Sequence, residues 1–509
     1  MVTVRSPDRG NGGSRPELLL VHPGGRSKIY QELASNLTAV EPPMWCRLIA
    51  GYALDRGHAC EIVDAEALDL DPADVAQLVV EREPLLVAVV TYGHQPSAST
   101  QKMLPSGDIC RAIKAASPDQ PIIMVGGHVA ALPERTLAEE AIDFSCNGEG
   151  PVTVERLLAA LKDANPAYGD IPGLVWRDGG TIRNNTSAPL ITDLDKDLHG
   201  QTWHLLPMER YRAHNWQCFG DLGARQPYAS IYTSLGCPYK CSFCCNNAPF
   251  GTNRYRMRKP AAVIAEIEHL HTTFGVCTFK IIDEMFVLND RHVREICQGL
   301  AAKPFAQKLN IWAYARVDTV KADAPKMLRA AGIRWLALGI ESGSEHVRDG
   351  AHKSFDHDDI VEVVHNIQKA GIHVIANYIF GLPDDDHQSM RATLDLAKEL
   401  NCEFANLYST MAYPGSPLYT EAVQKGLQLP ADWSGYSQHS ANCTPLPTET
   451  LSSAEVLRFR DQAFQEYFSN PRYLDMITQK FGVETADHIR SMVRARLPRN
   501  LLDAPAPTR

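Results

Sequence analysis

The sequence predicts an α/β protein with an N-terminal doubly wound parallel sheet, a partial (β/α)6 barrel and a helical C-terminal segment. Three observations carry this. Short continuous apolar runs alternate with amphipathic helices in the first third, the pattern of a parallel sheet covered on both faces. The alternation restarts after Pro227 with a longer period and gives six strand-helix units, too few for a closed eight-fold barrel. Beyond about Pro430 strand candidates cease and aromatic helical sequence takes over. The boundaries read as a flexible tail over 1–15, a first domain over 16–165, a connector over 166–225, a barrel over 226–425 and a C-terminal segment over 426–509 that ends in a Pro-rich tail.

In the first domain the strand candidates are Glu17 to His22, Ala59 to Ala65, Leu85 to Tyr92, Ile122 to Val125 and Ile142 to Cys146. Helices are expected near Pro43 to Arg56, Pro72 to Arg82 and Gly107 to Ala116, with a last one after Cys146. Doubly wound sheets bind ligands at the carboxyl ends of their strands. Those ends carry His22-Pro23-Gly24-Gly25, Thr91-Tyr92-Gly93, Gly126-Gly127-His128 and Gly148-Glu149-Gly150. Glycine there lets the backbone approach a large flat ligand; taken singly, each is equally a tight turn.

The connector holds a plausible hairpin, Gly173 to Trp176 and Ile182 around Asp178-Gly179-Gly180. Barrel strands are expected at Ser230 to Ser234, Thr278 to Ile282, Asn310 to Arg316, Trp335 to Glu341, His373 to Phe380 and Glu403 to Met411, with helices between them. The late rings (Trp433, Tyr436, Phe459, Phe464, Tyr467, Phe468, Tyr473) suit core packing or a cover over the barrel mouth.

Composition sets bounds. The 509 residues are 44% hydrophobic and 22% charged, ordinary for a globular protein, and the formal charge of -10 disfavours a nucleic-acid partner held through its phosphates. No apolar run approaches a membrane span and the first residues lack an apolar signal core, so a cytoplasmic protein with no membrane partner is expected. Thirteen scattered cysteines read as reduced thiols plus one cluster rather than a disulfide framework.

That cluster is the stretch TSLGCPYKCSFCCNN, which sets Cys237, Cys241 and Cys244 at a C-x3-C-x2-C spacing after the first barrel strand. Thiolate suits iron-sulfur clusters and zinc alike, and the spacing alone does not choose between them. Structural zinc wants four protein ligands, and no second C-x2-C or H-x3-H pair follows downstream. Cys245 reads as a core or shielding thiol.

The loop resembles the cluster site of the radical S-adenosylmethionine (SAM) enzymes, with Phe243 at the position of the ring beside the adenine. Gly339-Ile340-Glu341-Ser342-Gly343-Ser344 is similar to a family segment that approaches the ribose and methionine of SAM. Asn377 to Pro383 resembles the F-I-x-G-L-P element beside the adenine. Tyr413 to Tyr419 looks like the ending of the group that includes the anaerobic magnesium-protoporphyrin ester cyclases. The first domain, with Ile62-Val63-Asp64-Ala65 and Val125 to His128, resembles the Rossmann-like cobalamin-binding domain that many such enzymes carry. It lacks the D-x-H-x-x-G motif of methionine synthase, so the resemblance implies cobalamin bound without a protein histidine below cobalt.

The resemblance implies a [4Fe-4S] cluster on the catalytic Cys237, Cys241 and Cys244. It implies SAM contacts from Phe243, Arg316, Gly339, Glu341, Ser342, Asn377 and Gly381, and cobalamin contacts from Thr91, Tyr92, Gly126, Gly127, His128, Gly148, Glu149 and Gly150. Arg316 suits a carboxylate or a salt bridge in the barrel wall, and Asp283-Glu284 a substrate contact or a helix cap. The implied activity is methyl transfer from SAM by way of methylcobalamin to an unactivated carbon, or to phosphorus, of a small biosynthetic intermediate, with a one-electron reductant such as flavodoxin or ferredoxin. Alternatives are a cobalamin-binding cyclase, ring-contracting or oxidising enzyme, and a binding module with a vestigial cluster site.

Overall fold

The computed structural model describes residues 15–26, 29, 31, 38–93, 95 and 97–503. The expected tail over 1–15 lies outside them except for its last residue, and the end of the Pro-rich tail lies outside as well.

Strands β1 (Leu18–His22), β2 (Cys60–Asp64), β3 (Leu86–Val90), β4 (Ile122–Val125) and β5 (Phe144–Cys146) form the first sheet, all parallel, in the order β2-β1-β3-β4-β5. Their apolar runs are continuous because both faces are covered, and alternate residues enter different cores. Leu18, Leu20, Ala88 and Val125 join a large core shared with the barrel. Leu19, Val21, Val89 and Met124 join a second core under the outer helices. One outer helix, Pro72–Arg82, starts from a capping box in which Asp71 and Asp74 exchange bonds with each other's backbone N–H.

The connector hairpin is β6 (Leu174–Asp178) and β7 (Thr181–Asn184), and β6 pairs antiparallel with β5. It extends the first sheet beyond residue 165 and covers an edge that would otherwise present unpaired backbone groups.

The second sheet contains β8 (Tyr228–Ile231), β11 (Thr278–Ile281), β12 (Asn310–Arg316), β13 (Ile333–Glu341), β14 (His373–Phe380) and β15 (Phe404–Ser409). Its order is strictly sequential and every pair is parallel, as expected of an open partial barrel. The strand expected over Ser230 to Ser234 breaks in two. β8 stops at Ile231, and β9 (Ser234–Leu235) leaves the barrel to pair with β10 (Arg256–Met257). The cause is Asp283, whose carboxylate takes the Thr233 N–H (2.6 Å) and the Thr233 and Ser234 hydroxyls (both 2.5 Å).

Helices Ser453–Phe468, Pro471–Phe481 and Val483–Arg494 pack beside β15. The Tyr467 hydroxyl donates to the Cys402 carbonyl (2.8 Å) and Tyr473 to that of Glu403 (3.1 Å). Tyr467, Phe468 and Tyr473 are buried core, whereas Phe464 lines the internal cavity described below, so the rings divide between the two expected roles. Trp216, Trp312, Trp335 and Phe404 stack into an aromatic layer across the barrel. Among the described residues no helix is long and apolar enough to cross a membrane.

Candidate functional site

The cluster loop leaves β9 through Gly236, at φ +85°, where an added Cβ would lie 2.0 Å from the Arg254 carbonyl oxygen. Asn247 spans the loop by donating to the Cys237 carbonyl (3.1 Å), and the Cys244 N–H donates to the Cys241 carbonyl (3.1 Å). Asp283 and Glu284 hold the entry: Asp283 as above, Glu284 by accepting the Gly236 N–H at 3.1 Å. These carboxylates therefore brace the cluster loop, a role apart from the two weighed for them. Burial, with Asp283 adding to it, lifts Glu284 to about 7.

The thiols differ. Cys237 and Cys241 are half-buried, and Cys244 opens into the cavity. Burial pushes Cys237 up to about 11 and Cys244 well above its ordinary value, so each is a neutral thiol until a metal takes the proton's place. Cys245 is buried, and burial lifts it to about 12.

Arg316 closes β12 on its inward face. Its guanidinium grips Asp318 at 2.8 and 3.0 Å, lies 3.8 Å over the Tyr239 ring and donates to the Cys241 sulfur at 3.7 Å.

Next in the sheet, β13 bulges between Gly339 and Glu341, and Glu341 sits at φ +67°. A non-glycine residue in that region is strained and is held there by its surroundings. Here the holder is Lys353, buried at 6% exposure and ion-paired to the equally buried Glu341 carboxylate. A Cβ on Gly339 would fall 2.4 Å from the Lys353 nitrogen and 2.5 Å from Glu341 Oε1, so glycine makes the room for the pair. Ser342 is fully buried and bonds to Thr393 (3.1 Å). Asn377 donates to the Leu338 carbonyl (3.0 Å) and accepts from Asn406 (2.8 Å). The Gly381 N–H donates to Asp385 (2.9 Å).

One cavity of about 600 Å³ lies between the two sheets; of the expected SAM residues Phe243 lines it, whereas Arg316, Gly339, Glu341, Ser342, Asn377 and Gly381 do not. Phe243 and Cys244 line it from the cluster loop, Trp312 and Tyr314 from the barrel, His22 from the end of β1 and Lys102 from between the helices Ala98–Gln101 and Met103–Ala116. Gln95 crosses between the units and donates to the Tyr314 hydroxyl at 2.7 Å.

The strand ends of the first sheet are more tightly used than their glycines suggest. Tyr92 stacks on Trp45 (4.3 Å between centroids) and donates to the Glu149 carbonyl (3.2 Å). The Thr91 carbonyl accepts from Ser99 (2.5 Å), and a Cβ on Gly126 would lie 2.8 Å from that same oxygen. A Cβ on Gly150 would lie 2.5 Å from Val125. Gly127 opens the short helix Gly127–Ala131. His128 is buried, bonds to Thr100 (3.1 Å), meets the edge of Trp433, and is held near 3 by burial and Arg135. Gly148 stands at φ +142°. Glu149 is buried against Arg256, which leaves that guanidinium engaged rather than open to a substrate anion. None of these eight residues lines the large cavity; Phe243 and Cys244 do.

Residues 32–158 match the model of the B12 binding domain and residues 231–397 that of the radical SAM superfamily. The chain is a B12-binding radical SAM enzyme. It is 27% identical to an uncharacterized methyltransferase of Pyrococcus horikoshii over 90% of this chain and 94% of that one. It is 29% identical to the anaerobic magnesium-protoporphyrin IX monomethyl ester cyclase of Synechocystis, over 67% of this chain and 64% of the relative. In fold it is similar to the radical SAM methyltransferase TsrM of Kitasatospora setae, solved with cobalamin and a [4Fe-4S] cluster, with a TM-score of 0.65, 19% identity and 89% of each chain covered.

A radical SAM domain implies a [4Fe-4S] cluster and SAM, and a B12-binding domain implies cobalamin. The residues present fit the cluster: three soft thiols on one short loop, with the Arg316 cation against the sulfur of Cys241 to offset the negative charge that thiolate ligands bring. Toward SAM they offer the Phe243 ring on the cavity wall and, behind that wall, a Glu341 carboxylate fixed by Lys353 in the room that Gly339 leaves. For cobalamin the radical SAM enzyme offers the cavity between its two sheets, bordered by Gln95, Ser97, His22 and Lys102. Lys102 bonds to His22 (2.8 Å) and to the Pro23 carbonyl (3.3 Å).

Sequence reasoning missed Lys102, Gln95 and Lys353. Each is a polar residue outside any strand pattern, and its partner lies far along the chain or across a bulge. The nearest signal for Lys353 was Glu341 itself, a charge after an apolar strand that calls for a buried counterion.

Proposed function

We propose that this enzyme is a cobalamin-dependent methyltransferase that acts on an unactivated carbon of a small molecule, or on phosphorus. One observation carries the reading. The cavity is lined at once by the cluster loop (Phe243, Cys244) and by the B12-binding domain (His22 at a strand end, Lys102 between two helices), so both cofactor regions face one chamber. When bound, the cluster with SAM supplies a radical and cobalamin supplies a methyl carrier.

The chain's own residues hold and enclose. Cys237, Cys241 and Cys244 hold the cluster, Asp283 and Glu284 fix the loop that carries them, and Arg316 orients Cys241. Glu341, locked by Lys353, receives the ribose and methionine part of SAM, with Asn377, Ser342 and Gly381 shaping the floor and Phe243 beside the adenine. Thr91, Tyr92, Gly126 to His128 and Gly148 to Gly150 shape the cobalamin side, by fixing the strand ends rather than by lining the chamber. Apolar walls exclude water from a reactive intermediate. A small one-electron protein such as a flavodoxin or ferredoxin serves as reductant, and the enzyme works in the cytoplasm.

Anaerobic reconstitution with iron, sulfide and hydroxocobalamin, followed by metal analysis, is the first test. About four irons beside one cobalt support the reading; iron without cobalt overturns it. With reductant and SAM added, S-adenosylhomocysteine marks methyl transfer. 5'-Deoxyadenosine alone marks the other reading, a cyclase or oxidising enzyme, which the cyclase relative favours.

A further inference from the structure

One wall of the cavity is built by Phe404, Asn406 and Tyr408 on the inner face of β15 and by Phe464, Met492 and Leu497 from the C-terminal segment. These residues give it rings and apolar surface, and Arg460, Asp461, Gln465 and Arg496 line the same side. The Tyr408 hydroxyl makes no hydrogen bond among the described residues, and the charges of Glu341 and Arg460 both act on it.

The charges on the cavity surface do not cancel. Three carboxylates line it, and each has a cation: Glu66 with Arg26 (3.1 Å), Glu41 with Lys280 (3.2 Å), and Asp461 with Arg460 (2.8 Å). Lys102 shares Glu66 at 3.8 Å. Arg496 also lines the cavity. It is exposed and has no hydrogen bond, ion pair or ring contact among the described residues. An arginine left over at the cavity surface is a site for an oxyanion, because its planar fork binds carboxylate or phosphate bidentately.

We propose that the substrate is a ring-containing, largely apolar molecule bearing a carboxylate or a phosphate, and that Arg496 binds this oxyanion. The inference rests on the cavity being the reaction chamber of the enzyme proposed above. Aromatic walls favour a flat body, and the unpaired guanidinium selects its charged end.

Equilibrium dialysis on the anaerobically reconstituted protein tests it with three probes that share one ring: 2-naphthaleneacetate, 2-naphthyl phosphate and neutral 2-naphthaleneethanol. At least one anion is expected to bind about ten-fold more tightly than the alcohol, as one charge-assisted bidentate contact supplies. The preference is lost in Arg496→Gln and reduced but not lost in Arg496→Lys, which keeps the charge without the fork, and whichever anion binds better tells a carboxylic acid from a phosphate ester. Equal binding of the three, no binding by either anion, or a preference that survives Arg496→Gln overturns the inference. Cobalt and iron in the same samples report on the cofactor reading separately. An anion preference without cobalt keeps Arg496 and removes cobalamin-borne methyl transfer; cobalt without the preference does the reverse.

Discussion

Glu149 and Arg256 form a buried bidentate ion pair between the first sheet and the strand that braces the cluster loop. Nη2 lies 2.5 Å from Oε1 and Nη1 lies 3.2 Å from Oε2. Arg256 also donates to the Ile191 carbonyl (2.6 Å), and the Ile191 N–H donates to Glu149 (3.3 Å), so the connector is tied into the same knot.

Breaking that pair from one side leaves a buried charge unanswered. Arg256→Met is expected to cost about 3 kcal/mol, because an uncompensated buried ion costs more than the pair contributes. Urea unfolding reads the loss. The double variant Glu149→Gln with Arg256→Met recovers part of it, and an unchanged midpoint in the single variant contradicts the assignment.

The Glu341–Lys353 pair predicts an effect on SAM binding rather than on folding alone. Gly339→Ala drives a methyl group into both partners, and Lys353→Met leaves Glu341 buried without a cation. Both are expected to weaken SAM binding about ten-fold or more, the equivalent of one lost charge-assisted contact. Labelled SAM in equilibrium dialysis measures it, and Lys353→Arg should recover part. Wild-type affinity in Gly339→Ala would count against Glu341 as a SAM residue.

The adjacent thiols should separate cleanly. Cys244→Ala is expected to fall well short of the iron bound by the wild type, whereas Cys245→Ala keeps about four irons per chain, as a cubane held by the other three cysteines requires. Iron analysis after reconstitution decides. Loss of iron from both variants would give Cys245 a ligand role.

Asp64 predicts a pH dependence. It is fully buried at the end of β2, accepts the Glu66 and Ala67 N–H groups (both 3.1 Å) and the Tyr211 hydroxyl (2.9 Å), and burial lifts it to about 7. A carboxyl whose folded pKa is raised binds more protons in the native state, so this group's contribution falls as pH rises from the ordinary aspartate value toward 7. Asp64→Asn keeps the acceptor for the N–H groups and removes the titration. It should be the more stable protein at pH 8 by a few kcal/mol at most, with the difference shrinking toward pH 5. Denaturant midpoints across that range test it, and a constant difference would exclude Asp64 as the source.

Much of the fold was legible because it is periodic. The expected bounds of β12 and β14, Asn310 to Arg316 and His373 to Phe380, are the observed ones. Those strands are long and bounded by clear breakers, and their alternation places Trp312 and Tyr314 inward. The cluster cysteines were legible because all three lie on one short loop. What stayed hidden depends on distant chain. Glu149 read as a ligand contact at a glycine-rich strand end, yet it answers Arg256, 107 residues away. The break after β8 depends on Asp283, 50 residues on, capturing Thr233. Lys353 and Arg496 lie in irregular segments, where no period marks which way a side chain faces.

The six-stranded barrel stops short of a closed ring, and chain that holds none of the cysteine, glycine-rich or Glu341 motifs lies beside β15 and walls the chamber there. Part of the chamber wall is therefore encoded apart from the stretch that holds the three loop cysteines. Exchange of the sequence after about residue 450 between related genes could redirect what enters the chamber while the loop that takes up iron is inherited unchanged. A lineage built this way diversifies its products from one end of the chain.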